Sequence, residues 1–147
     1  MMAGARHGRS KTVATWLALI GGSLGLHRFY LFGMADAWAW LHAVPTLVGA
    51  WGFWRLRELG TDDRLGSLLV PLLGLMVTMT TLVAIVYGLM PDERWNARFG
   101  TGDPPRSSGG AVIFGVCIAL ALGATVAMAT LAFVVERYFE WQLPGSV

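Results

Sequence analysis

A single cysteine, Cys117, stands among 147 residues. It can form no intrachain disulfide and no multi-cysteine metal site, which excludes a secreted disulfide scaffold. Charge is scarce too. Asp, Glu, Lys and Arg make up 14% of the chain, against roughly 25% in a soluble domain. That is too little polar surface to cover a soluble fold of this size. The net charge of +2 lacks the basic footprint of a nucleic-acid binder, so no nucleic-acid partner is expected. Catalytic signatures are missing as well: no Gly-x-Ser-x-Gly, no His-Glu-x-x-His, no Cys-x-x-Cys and no phosphate loop. His7, His27 and His42 are not spaced as a metal set, and Glu136 and Glu140 read as a solvated helix end. No catalytic residue, metal ligand or cofactor is assigned, and an enzyme is not expected.

What is abundant is apolar: 55% of the residues are hydrophobic and 12% aromatic. These make the chain an integral membrane protein. Four stretches carry no charge: Thr12–Leu26, Ala37–Trp54, Leu65–Met90 and Ser107–Val135. A bilayer core of about 30 Å needs roughly 20 apolar residues as helix. The third and fourth stretches meet this, and the second does if Met34–Trp54 is one helix. The first is short, about 22 Å as a helix. Its basic start and apolar run resemble a signal peptide, but Leu26-His27-Arg28-Phe29 follows with no small-x-small cleavage pattern. It is read as a short span ending near Gly25. The expected fold is all-α, a four-transmembrane-helix bundle containing an N-terminal two-helix hairpin. Its parts are a basic arm (1–11), the hairpin (12–56), a short loop (57–64), a third membrane helix (65–90), a flexible loop (91–110), a fourth helix (111–138) and an interfacial tail (139–147).

Four spans put both termini on one side. With the N-terminus inside, seven of the eleven Lys and Arg residues lie inside, and the positive-inside rule favours that orientation. The expectation is a membrane, bacterial inner membrane in style, with cytoplasmic termini and Arg28 at the outer interface. Trp54, Tyr87, Tyr138 and Trp141 fall where interfacial aromatics belong. No repeat of the first half is found in the second.

The most distinctive run is His27-Arg28-Phe29-Tyr30-Leu31-Phe32-Gly33, preceded by Gly21-Gly22-Ser23-Leu24-Gly25-Leu26. With the basic start at Lys11 and Gly49-Ala50-Trp51 further on, it resembles the TM-two domain family, small membrane proteins built on a two-helix hairpin. The match spans about Lys11 to Leu56. Phe32 stands where the family has glycine, and Arg55 where many members have aspartate. The resemblance implies a membrane hairpin. The turn set is Gly25, His27, Arg28, Phe29, Tyr30, Gly33 and Asp36. Glycines allow reversal and close helix approach. Arg28 can hold lipid phosphate, a helix C-terminus or Asp36. Asp36 reads as a helix N-cap. His42, inside the second span, is a buried hydrogen-bonding group or part of a proton path, and Pro45 frees a carbonyl near it.

In the fourth stretch, Gly115, Ala119, Gly123 and Ala127 recur every four residues, a close-packing face. Cys117 is expected to be buried mid-span. The expected function is that of a non-enzymatic membrane component. It assists assembly or organises lipid through its helix faces and the His27-Arg28 turn, and its partners are the bilayer and a larger membrane complex or a second copy. The alternative is a small homo-oligomeric channel or transporter with His42 and Asp36 near the path.

Overall fold

A computed structural model describes residues 8–99 and 107–142. Among these, six α-helices and one 3-10 turn account for the regular structure, with no strand. They are α1 (Lys11–Gly21), the 3-10 turn (Gly22–Leu24), α2 (Leu26–Phe32), α3 (Ala37–Leu59), α4 (Arg64–Leu89), α5 (Asp92–Phe99) and α6 (Gly110–Gln142). α4 and α6 are each long and apolar enough to cross a membrane. At 1.5 Å per residue, 26 and 33 residues give about 39 and 50 Å. Pro45 and Pro71 lie inside α3 and α4, where each removes one amide donor from the helix.

α4 and α6 run antiparallel along a seam with a seven-residue period. α4 contributes Ser67, Gly74, Thr81 and Gly88; α6 contributes Val116, Gly123, Thr130 and Arg137. A Cβ on Gly74 would strike the Thr130 side chain, one on Gly123 would strike Thr81, and one on Gly88 would strike Val116. Each glycine thus receives a side chain from the opposite helix. This is knobs-into-holes geometry with holes made by missing side chains. The threonine hydroxyls donate within their own helices, Thr81 to the Thr78 carbonyl at 2.8 Å and Thr130 to that of Val126 at 2.7 Å. The seam therefore buries no unpaired hydroxyl at these layers. α3 meets α4 the same way, with Gly49 against Leu73 and Gly52 against Leu69.

α1 follows a different course. It runs beside α6, with Thr15 and Trp16 over Gly115 and with Ala18 packed on Ala84 and Ala119. It stops where Gly22 meets Thr80, nine residues short of the end of α4 and so about 14 Å deep. Gly25 then adopts a left-handed conformation, φ 81°, and α2 returns along α1. The Tyr30 hydroxyl accepts from the Ser10 amide at 2.9 Å, and Leu31 packs with Ala14 and Trp95. The chain leaves the Ser10 end of the bundle and comes back to it. α3 then runs the full length to the other end, where the Arg137 guanidinium donates to the Thr61 carbonyl at 3.2 Å.

This corrects several expectations. The first stretch does not run the length of the bundle, because α1 has only 11 residues and its glycine-rich end reverses the chain. Arg28 therefore lies at the Ser10 end rather than the opposite one. The first and last described residues lie at opposite ends, not the same one. The segment expected as a flexible loop, 91–110, contains α5, whose first turn carries Asp92 and Glu93 and whose last carries Arg98, matching the helix dipole. Trp95 is its buried anchor and donates to the Arg9 carbonyl at 2.9 Å. α3 continues through 57–59, and α6 takes in 139–142 of the expected tail. Most of the basic arm and residues 143–147 fall outside the described residues. Cys117 is exposed, not buried, because α1 and α4 cover only the Gly115–Ala119–Gly123 face.

On this packing, Gly123→Leu forces a side chain into Thr81 and should cost about 1–3 kcal/mol. Leu122→Ala removes a side chain from an exposed position and should change stability by well under half of that. Thermal unfolding of both variants in mild detergent is the check, and equal midpoints would contradict the seam.

Candidate functional site

The residues singled out in the sequence converge at the Ser10 end. Gly25 makes the reversal possible: its φ is positive and a Cβ there would strike the Ala39 carbonyl oxygen, so a side chain is excluded twice over. The reversal buries His27, which is 2% exposed. Its ring lies edge-on to His42 (5.8 Å between centroids) and to Tyr87 (6.0 Å), and its Nδ1 has no hydrogen-bond partner. Phe29 stacks edge-to-face on Trp40 at 5.2 Å. The Tyr30 ring lies under the Arg9 guanidinium at 5.6 Å, a cation–π contact.

Arg28 and Asp36 close the corner between α2 and α3. Arg28 Nε donates to Asp36 Oδ2 at 2.7 Å, and its guanidinium sits 5.0 Å from the Phe32 ring centre. The other Asp36 oxygen accepts from the Trp38 amide at 3.2 Å and so caps α3. The hydrogen bond from Arg28 holds the Asp36 carboxyl below the usual carboxylate range. His42 Nδ1 lies 2.6 Å from the Trp38 carbonyl. A carbonyl can only accept, so Nδ1 carries the proton. The Thr46 hydroxyl, 2.6 Å from the Ser23 carbonyl and 2.9 Å from that of His42, ties the hairpin tip to α3.

The same corner is built a second time, 27 residues on. Arg28, Gly33 and Asp36 are matched by Arg55, Gly60 and Asp63. Gly33 has φ 93° and ψ 174°, Gly60 φ 86° and ψ 177°. Asp63 caps α4 by accepting from the Gly66 amide at 3.0 Å, and Arg55 grips it through two bonds of 2.9 Å. Arg55 also stacks on Trp51. The spacing Arg-x4-Gly-x2-Asp occurs at both corners, with Gly22 and Gly25 upstream of the first and Gly49 and Gly52 upstream of the second. A search for short repeats finds this signal; a comparison of the two halves of the chain does not.

A third polar centre ties the remaining elements together at the Ser10 end. Lys11 Nζ donates to the Met90 carbonyl at 2.6 Å, to Asp92 at 3.0 Å and to the Ser108 hydroxyl at 3.1 Å. Asp92 also accepts from the Ser108 amide at 2.8 Å and from its hydroxyl. These bonds, Ser108 first and Lys11 after it, hold the Asp92 carboxyl at about 2. Neither Lys11 nor Asp92 is prominent in the sequence, because their partners lie some 80 residues apart.

Gly25, His27, Arg28, Phe29, Tyr30, Gly33, Asp36 and His42 therefore share one neighbourhood, whereas Gly115, Ala119, Gly123 and Ala127 lie along α6. Of the latter, Gly115, Ala119 and Gly123 are buried and Ala127 is half-buried. Among the described residues no group of three or more His, Cys, Asp or Glu is placed to hold a metal. Comparison with known protein families, curated proteins and solved structures gives no match to this chain.

Two outcomes follow. Gly33→Ala, with open space around it, should cost only the backbone strain of φ 93° and ψ 174°, about 1–3 kcal/mol. Gly25→Ala meets the Ala39 backbone as well and should cost more. Comparing the two midpoints in detergent checks this; the reverse order would contradict the hairpin. The Asp92 cluster has a pH signature. Its folded pKa lies below the unfolded value, so its stabilisation is complete above about pH 4 and is lost as pH falls towards 2. Asp92→Asn should flatten that acid limb of the stability profile.

Proposed function

We propose that this chain is a non-enzymatic integral membrane protein in which α3, α4 and α6 cross the bilayer while α1 and α2 form a hairpin that enters to about half depth. Its role on this reading is to organise surrounding lipid and assist assembly of membrane components through its outer helix faces. The observation that carries the reading is the bond between the Tyr30 hydroxyl and the Ser10 amide, which brings both feet of the hairpin to one end.

α3 supports a third crossing although it carries charges at its C-terminal end. Its 23 residues make about 34 Å of helix. Trp38 and Trp40 are exposed near one end, Trp51 and Trp54 near the other, as interfacial belts require. The two Arg–Asp corners stand just outside those belts. Arg9, Lys11, Arg28, Arg94 and Arg98 lie at the Ser10 end, against Arg55, Arg57, Arg64 and Arg137 at the other; the excess orients the Ser10 end to the cytoplasm. The likeness to the TM-two family belongs to the same proposal, with the family's glycine-rich turn serving here to send the chain back. The polar side chains are committed to structure: Asp36 and Asp63 to caps, Asp92 to the Lys11 cluster. That favours a scaffold over a channel using Asp36 and His42.

Cysteine labelling in a Cys117→Ala background tests the arrangement. Gly8→Cys and Met34→Cys should label from the same side and Asp62→Cys from the opposite side. Gly8 and Met34 on opposite sides would restore a four-span protein. In proteoliposomes the wild type should give no ion flux above protein-free vesicles. A flux abolished by Asp36→Asn or His42→Ala would establish the channel instead.

A further inference from the structure

Because α1 stops at Thr80, the groove that it occupies along α4 and α6 holds no other described helix from there to the Thr61 end. The vacated half is a cavity of about 360 Å³ lined by Val70, Leu73, Val77, Val126, Ala129 and Phe133. Its walls come from α4 and α6 and are apolar apart from Thr130. At its foot the seam between α4 and α6 reaches its last layer, where the heptad register sets Ser67 level with Arg137. Both carry a buried polar atom with no partner, Ser67 Oγ and Arg137 Nε. Two orphaned donors in one layer of a bilayer protein are costly unless a ligand accepts from them. The Arg137 guanidinium lies 5.5 Å from the centre of the ring of Phe133, a cavity-lining residue one turn before it on α6. Its other nitrogens are taken: by Glu140 at 2.6 Å, Glu136 at 3.5 Å and the Thr61 carbonyl at 3.2 Å. Glu136 is exposed and Glu140 half-buried.

Along the α4–α6 seam the order is an apolar slot, then two buried donors, then two carboxylates. We propose that it binds a zwitterionic aminophospholipid of the phosphatidylethanolamine kind. One acyl chain lies in the slot beneath the hairpin. Arg137 Nε and the Ser67 hydroxyl donate to phosphodiester oxygens, and the lipid ammonium donates to Glu136 and Glu140. Charge selects the headgroup. One guanidinium beside two carboxylates disfavours a lipid of net negative charge, and a choline headgroup has no N–H to donate to the carboxylates. The proposal rests on the membrane reading above.

Native mass spectrometry of the purified full chain, titrated with palmitoyl-oleoyl phosphatidylethanolamine, phosphatidylcholine or phosphatidylglycerol, tests it. The ethanolamine lipid should bind once and about tenfold more tightly than the others, the worth of a charge-assisted hydrogen bond. Ala129→Phe, which fills the slot, and Ser67→Ala should each lower that affinity by about the same factor. Without lipid, Ser67→Ala should leave the unfolding temperature unchanged or raised, since it removes an orphaned hydroxyl. Equal binding of all three lipids, unchanged binding by both variants, or a lipid-free dimer that dissociates with Ala129→Phe would each overturn the proposal. Carbonate extraction of the same membranes separates the two readings: a chain that washes out refutes the membrane reading, whereas one that stays without selectivity refutes only this site.

Discussion

Backbone groups in a turn need partners, and in the proposed membrane arrangement the hairpin tip is the place where this chain meets that demand. A turn exposes amides and carbonyls that a continuous helix would pair internally, and a bilayer has no water to satisfy them. Here the Gly25 amide donates to the Gly22 carbonyl at 2.8 Å, and the Gly25 carbonyl accepts from the Arg28 and Phe29 amides at 2.9 and 3.1 Å. The Ser23 carbonyl takes the Thr46 hydroxyl. The tip is therefore paired partly within itself and partly by α3. Its glycines let it sit against Thr80 and Ala39 closely enough for this to happen. Tip, α3 and α4 specify one another; without the close approach, the Ser23 carbonyl would lose its Thr46 partner.

The rest of the architecture follows from where the hairpin ends. Since α1 reaches only as far as Thr80, α6 has two neighbours in one half of the bundle and α4 alone in the other. The heptad of glycine against threonine compensates by bringing α4 and α6 close along their whole shared length. The two Arg–Gly–Asp corners fix the ends of α3 by a common device. A glycine ends one helix, an aspartate caps the next, and an arginine from the first helix neutralises the capping charge. At the Ser10 end, Lys11 and Asp92 add a third polar tie that joins the starts of α1, α5 and α6 to the end of α4.

Much of this is legible in the residues. The uncharged stretches locate the long helices, the Gly115–Ala119–Gly123 period locates a face that is buried, and the spacing of Arg28 and Asp36 allows the pair that forms. The direction of the hairpin is not legible that way. Hydrophobicity marks that a segment is apolar, not whether it passes through or returns, and the sign of φ at Gly25 decides between the two. α5 escapes notice because its eight residues, rich in charge, look like loop until Trp95 finds its pocket. Cys117 is misjudged because mid-span position does not say which face of α6 α1 covers. The Arg-x4-Gly-x2-Asp repeat was open to inspection, but its 27-residue period crosses element boundaries rather than marking two halves.

The central claim is that the first apolar stretch enters the membrane and turns back. Spin labels at Leu24, at the exposed hairpin tip, and at Phe32, exposed at its return, measure this directly through their relative accessibility to oxygen and to a polar nickel chelate in vesicles. The account predicts that Leu24 reads near the bilayer centre, with Phe32 shallow on the side of Gly8. A Leu24 label that reads near the interface opposite Gly8 would mean that the stretch crosses, and would contradict it.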